Sequence, residues 1–250
     1  TLATRAYTYE DGTLKCEGVA VGEEFYVQEL GKTFTRIVKK IEQNASFDYS
    51  SVCTTGIEDM GGMFFGLLNF DQNISHWDTS EVTIMRFLFY NAESFTHDLS
   101  KWDTSNVIDM EGVFWNAASF NRDISTWNTS KVGTMKSMFY SADVFNKDIS
   151  KWDTSNVIDM ETMFLGAEAF NHSLETWCVP KITRLPTNFA FNSPIYANTA
   201  FHPRWGTCPA TTSSTTVTTT TVTTTTTLAT RAYTYEDGTL KCEGVAVGEE

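Results

Sequence analysis

Between residues 53 and 177 the chain repeats every 25 residues, and this period limits its fold more than any other feature. Trp77, Trp102, Trp127, Trp152 and Trp177 fall in one column, and Met60, Met85, Met110, Met135 and Met160 in a second. Phe64, Phe89, Phe114, Phe139 and Phe164 make a third, and Phe70, Phe95, Phe120, Phe145 and Phe170 a fourth. Ile74, Leu99, Ile124, Ile149 and Leu174 complete a fifth. A sixth, degenerate copy continues through Ile182, Leu185 and Phe189, interrupted by Pro180 and Pro186. A copy this short cannot bury its own apolar face, so neighbouring copies must stack and share one core.

Within the best-formed copy, Val157, Met160, Phe164 and Ala167 follow the i, i+3, i+7, i+10 spacing of one helical face. The spacing predicts a helix or turn of at most about three turns, with Ser155 or Asn156 as N-cap and Gly166 at its end. The stretch DISKWDTS at 148–155 reads as a short strand. The expected fold is therefore an α/β solenoid of five to six 25-residue coils, with short parallel strands and short helical turns. Like residues would then form ladders at about 4.8 Å spacing. Open strand edges invite association, so capping segments are expected at both ends of such a stack. Residues 1–52 supply an N-terminal segment and cap, 53–177 five repeats, and 178–210 the degenerate copy and a C-terminal cap.

The signature W-D-T-S-x-V-x-x-M-x-x-[MVL]-F-x-x-A-x-x-F-x-x-D-[IL]-S resembles the BspA-like surface-protein repeat, also known as the DUF285 or mycoplasma lipoprotein-type repeat. The resemblance is strong over residues 53–177, and SVCTTGIEDM at 51–60 looks like the usual start of such an array. It implies a right-handed, leucine-rich-repeat-like solenoid and a surface or adhesive role, and it brings no catalytic residues. Departures are small, such as Asn128 for the aspartate of WDTS and Leu88 for the second methionine.

A second, longer repetition encloses the first. Residues 1–24, TLATRAYTYEDGTLKCEGVAVGEE, recur letter for letter as residues 227–250, an offset of 226. The expectation is a window on a head-to-tail array of 226-residue units, with residues 228–250 beginning the next one; duplication by construction is the alternative. Of the formal charge of −13, −3 lies in the last 24 residues and −10 in one unit. An acidic surface with no basic cluster argues against nucleic acid and anionic lipid as partners. No apolar run approaches the roughly 20 residues that cross a bilayer. Cys242 repeats Cys16, which leaves four cysteines per unit: Cys16, Cys53, Cys178 and Cys208. None has metal or redox spacing, and the expected bridges are Cys16–Cys53 and Cys178–Cys208, although four cysteines allow three pairings and could also remain as buried thiols. Disulfides point to an oxidising, extracytoplasmic setting.

Residues 211–227 are Ser or Thr at 15 of 17 positions, the composition of an O-glycosylated stalk. The acceptors would be Thr211, Thr212, Thr215, Thr216, Thr218, Thr219, Thr220, Thr221, Thr223, Thr224, Thr225, Thr226 and Thr227. Held extended, the tract spans roughly 55 Å. A flexible polar linker, or a strand added to a neighbouring unit through Val217 and Val222, are the competing readings. Four N-x-[ST] sequons, at Asn44, Asn73, Asn128 and Asn171, add candidate N-glycans. Asn128 doubles as a turn-capping residue, and Asn73 and Asn171 should face solvent.

Other constellations do not become sites. His76, His97, His172 and His202 occupy unrelated repeat phases and are expected on the surface. Asp98, Asp123 and Asp148 form one column and Asp78, Asp103 and Asp153 another. Such columns either cap turns or, relieving their mutual repulsion, hold calcium. The tryptophan column either closes the core or offers flat faces to sugars. No catalytic set is present, so the expectation is a protein that is not an enzyme and uses no cofactor beyond covalent glycans. The sequence suggests a structural subunit of an extracellular glycosylated fibre or surface appendage, whose partners are copies of itself head to tail. The alternative is a cell-surface adhesion module that binds protein or glycan through the face of the stack.

Overall fold

A computed structural model describes residues 7–37 and 44–209, and the backbone of 233–236 and 239–242. Its contacts divide the chain into two units, Thr1–Ala210 and Thr211–Glu250. The threonine tract lies outside the described residues.

The copies are built from turns, and this corrects the expected fold. Among the described residues there is no α-helix, and the copies contain no strand longer than an isolated bridge. The α/β solenoid with parallel strands, helical turns and leucine-rich-repeat geometry is therefore not what the chain forms. Residues 148–155, expected as a strand, are turns and irregular backbone. The physical reason lies in two left-handed residues per copy. Gly62, Phe87, Gly112, Ser137 and Thr162 hold one such position, with φ between 53° and 64°. Gly66, Asn91, Asn116, Ser141 and Gly166 hold the other, four residues on. A residue at positive φ ends a right-handed helix, so two of them four residues apart leave no room for one.

What replaces the helix is a turn ribbon with alternating bonds. In the third copy Trp115 and Ala117 donate their amides three residues back, to Gly112 and Phe114. The amides in between cross to the following copy: Met110 to Thr134, Gly112 to Lys136, Phe114 to Met138 and Asn116 to Tyr140, at 2.7–3.1 Å. The first copy does the same from Met60, Gly62, Phe64 and Gly66. A single column of parallel bridges, Asp59–Ile84–Asp109–Thr134–Asp159, runs alongside.

The WDTS signature makes a second seam from side chains. Each indole Nε1 donates to a main-chain carbonyl one copy back: Trp102 to Ile74, Trp127 to Leu99, Trp152 to Ile124 and Trp177 to Ile149, at 3.0–3.2 Å. Each threonine hydroxyl donates one copy forward: Thr79 to Asp103, Thr104 to Asn128, Thr129 to Asp153 and Thr154 to Cys178. The aspartate closes the turn by accepting the amide of the serine two residues on, as Asp103 does from Ser105 and Asp153 from Ser155 at 2.9 Å.

Between the seams lies the apolar core. Phe89, Phe114, Phe139 and Phe164 stack at 5.5–5.6 Å, near parallel. At each end an aromatic ring turns on edge: Tyr49 stands at 78° to Phe64, and Phe189 at 84° to Phe164 with Trp205 against it. Parallel stacking thus stops at both ends of the array.

Ahead of the first copy, β1 (Thr8–Glu10) and β2 (Thr13–Lys15) form a hairpin over Asp11–Gly12, both at positive φ. Asp-Gly is the dipeptide a two-residue type I′ turn asks for. β3 (Glu24–Val27) pairs antiparallel with β4 (Lys32–Arg36), and β5 (Val52–Cys53) joins β4 in parallel. Leu14, Cys16, Val19, Val27, Phe34 and Cys53 make a second small core there. The hairpin docks on its own chain, with the Leu14 amide donating to the His76 carbonyl at 2.8 Å.

In the second unit, β6 (Tyr233–Glu236) and β7 (Thr239–Cys242) pair antiparallel. Their register, Thr234 with Lys241, Tyr235 with Leu240 and Glu236 with Thr239, repeats that of β1 and β2 residue for residue.

Candidate functional site: an outward aromatic column

On the turn ribbon, residues at the relative positions of Met110, Val113, Phe114 and Ala117 point inward and are buried, Leu67 of the first copy being only half-buried. Those of Glu111, Gly112, Trp115 and Asn116 form its outer side. The inward set keeps helical spacing although no helix forms. The outer set carries an aromatic column: Phe65 and Tyr90 stack at 4.3 Å and 4°, Tyr90 meets Trp115 at 5.3 Å and 51°, and Trp115 stacks on Tyr140 at 4.4 Å and 25°. Phe65 is exposed, and Tyr90, Trp115 and Tyr140 are half-buried. Leu165 continues the column. Phe87 lies edge-on to Tyr90 and covers Gly112, where an added Cβ would meet its ring at 2.5 Å.

Polar groups border this column. Asn116 Nδ2 donates to Asn91 Oδ1 at 3.0 Å and to Glu93 Oε1 at 3.3 Å. Four residues before each member of the column run Arg86, Glu111, Lys136 and Glu161. Lys136 Nζ pairs with Glu161 Oε2 at 2.6 Å, and that hydrogen bond raises the lysine pKa. Burial, with Asp109 and Asp159 nearby, raises the Glu111 pKa against the opposing pull of Lys136 and Arg86.

The residues singled out from the sequence are distributed elsewhere. The tryptophan column belongs to the core: Trp77, Trp102, Trp127, Trp152 and Trp177 are at most 3% exposed, so their faces are closed to ligands. Both expected disulfides, Cys16–Cys53 and Cys178–Cys208, are formed. They fit an oxidising compartment. Asn44, Asn73, Asn128 and Asn171 are all exposed. Asn73 and Asn128 accept the amides of Ser75 and Ser130 at 3.0 and 3.1 Å, and Asn44 that of Ser46 at 2.9 Å. The candidate O-glycosylation sites Thr211–Thr227 lie outside the described residues.

The aspartate columns cap turns: Asp98, Asp123 and Asp148 accept the amides of Ser100, Ser125 and Ser150, each at 2.9 Å. Those bonds hold the Asp123 and Asp148 carboxyls below the ordinary aspartate range. Among the described residues no group of three or more Asp, Glu, His or Cys side chains is placed to hold a metal ion. His76 corrects the expectation of surface histidines. It is 7% exposed, its Nε2 lies 3.0 Å from the Val52 carbonyl, and burial lowers its pKa. No helix in the described residues is long and apolar enough to cross a membrane.

The aromatic column is what sequence reading missed. Its signal was present as the second residue of Phe64-Phe65, Phe89-Tyr90, Phe114-Trp115 and Phe139-Tyr140. The buried phenylalanine column beside it masked the pattern, because only the fold shows that the second ring points outward.

The family model described as "Mycoplasma protein of unknown function, DUF285" matches residues 28–128 and again 99–201. The chain belongs to the DUF285 family. The two matches overlap within the 25-residue array and together span residues 28–201, so this DUF285 chain carries the family pattern over both seams, with Cys16 and Cys208 outside the matched residues. No curated protein and no solved structure matches it.

Proposed function

We propose that this DUF285 chain is a structural subunit of an extracellular, glycosylated fibre or surface appendage made of tandem 226-residue units. The observation that carries this reading is the duplicated segment: residues 8–15 and 234–241 are identical and adopt one hairpin register. A sequence that regenerates the same local element after 226 residues is what a serial array of units requires. Two disulfides and four exposed sequon asparagines support export and glycosylation, with the threonine tract as an O-glycosylated stalk between units. In this reading the protein works without catalysis and without a cofactor.

Electron microscopy of native material tests it. Beads joined by thin connections, with an axial repeat on the order of 60 to 100 Å, support the reading; single isolated particles whose mass equals one unit contradict it. A second reading, a cell-surface adhesion module for protein or glycan, is favoured by the exposed aromatic column. Glycan binding by the isolated chain that is lost when Trp115 and Tyr140 are replaced by serine would favour it over the fibre.

A further inference from the structure

The outer side of the turn ribbons combines two rows with one period. Arg86, Glu111, Lys136 and Glu161 alternate in sign along the array, and Tyr90, Trp115, Tyr140 and Leu165 run beside them on the same copies. Within the chain Lys136 pairs with Glu161, whereas among the described residues Arg86 and Glu111 form no ion pair.

With all four rungs in register, an alternating row of even length is complementary to itself only when turned end for end. Laid antiparallel against a second copy, Arg86 meets the second copy's Glu161 and Glu111 its Lys136, and both contacts recur by symmetry. Laid parallel and in register, every charge meets its like. The aromatic row obeys the same axis: Trp115 meets Tyr140 of the second copy at the centre, with Tyr90 and Leu165 flanking. The four sequon asparagines all lie outside these ribbons, so glycans would leave the face open.

We propose that this face joins two copies of the chain antiparallel, about a two-fold axis passing between Trp115 and Tyr140. Such an isologous contact closes on itself and places aromatic residues at its centre with charges alongside, where they set orientation. Four rungs at about 4.8 Å give a strip of roughly 15 Å. That is small against the roughly 800 Å² per partner of a stable interface, so the pairing is reversible and depends on concentration. In a tandem array the same contact would be multiplied by avidity, although the pairing itself does not depend on the tandem reading.

Sedimentation of the full 250-residue chain over a concentration series tests the proposal. The expected result is a monomer–dimer equilibrium that weakens as salt is raised. Replacing Trp115 and Tyr140 together by serine should weaken it by at least about tenfold, with far-UV circular dichroism unchanged. The quadruple variant R86E/E111K/K136E/E161K keeps the alternation along the chain and reverses every sign. It should dimerise with itself and not with the unmodified chain. A chain that stays monomeric at all concentrations would overturn the proposal. So would dimers that survive the serine pair, or that form preferentially between unmodified and reversed chains, since the last is the signature of parallel pairing in register.

Discussion

The two seams join the same copies by different chemistry, and the difference explains which residues repeat and which vary. Along the turn ribbon the bonds between copies run through the backbone, so residue type can vary at the outer positions that need no positive φ. The chain uses that freedom: Gly61, Arg86, Glu111, Lys136 and Glu161 share one phase. Along the WDTS seam the bonds run through side chains, Trp Nε1 backward and Thr Oγ1 forward, and there tryptophan and threonine recur in every well-formed copy. The buried Leu99 carbonyl accepts both the Trp102 amide, at 3.1 Å, and the Trp127 indole, at 3.0 Å, and removing the indole takes away its bond to the following copy. Outside the buried apolar columns, repetition of residue type thus marks where side chains replace main chain as the tie, and variation marks the surface left for contact.

Two tryptophans twelve residues apart offer the sharpest way to break this contrast. Trp127→Ala should lower unfolding free energy by about 3–5 kcal/mol through its cavity and the lost indole bond to the Leu99 carbonyl. Trp115→Ala, on the outer ribbon, should stay within about 0.5–1 kcal/mol. Chemical denaturation of both variants measures the difference, and equal losses would dissolve the distinction. Next in size, replacing Cys178 and Cys208 by serine frees a loop of 30 residues and should cost about 3 kcal/mol at the C-terminal end.

Thr129→Val keeps the shape of the side-chain seam and removes its donor to the Asp153 carbonyl, for an expected loss of about 1–3 kcal/mol. On the ribbon, Gly112→Ala should cost about 1–2 kcal/mol, since position 112 sits at φ 58° beneath the Phe87 ring. Because Ser137 and Thr162 occupy the same phase at φ 53° and 54°, Phe87→Ser should recover part of that loss.

The smallest expected effects come from pH. The pKa of His76 is lowered from 6.5 by burial, so the unfolded chain takes up its proton first and stability falls as pH drops below about 6.5. His76→Phe should flatten that slope in thermal melts recorded between about pH 7 and 5. At Asp48 burial opposes ionisation, but hydrogen bonds from Ser50, Ser51 and Lys32 outweigh it and lower the pKa to about 2. Its contribution is present above the ordinary value of 3.8 and is lost as pH falls from there towards 2.

The period, the core columns and both disulfides could be read from the sequence because each rests on residue type and spacing alone. The Val157, Met160, Phe164, Ala167 pattern gave the inward side correctly and the secondary structure wrongly. Inward spacing is shared by a helix and by this turn ribbon, and the left-handed positions that separate them are filled not only by glycine but by Phe87, Ser137 and Thr162. Residue type at those positions therefore carries no warning. The seam roles of tryptophan and threonine were likewise hidden, because their acceptors lie 28 residues back and 24 residues on. The aromatic column needed the fold before its direction was defined.

Residue-resolved hydrogen exchange across the third copy tests the two-seam account most directly. The account predicts slow exchange at Met110, Gly112, Phe114 and Asn116, which donate to the fourth copy. It also predicts slow exchange at the Trp127 indole, which donates to the second copy's Leu99, and fast exchange at the exposed Arg122 and Asp123 amides. Protection of Val113 matching that of Met110 and Phe114, as a continuous helix over 110–117 would give, together with a fast-exchanging Trp127 indole, would contradict it.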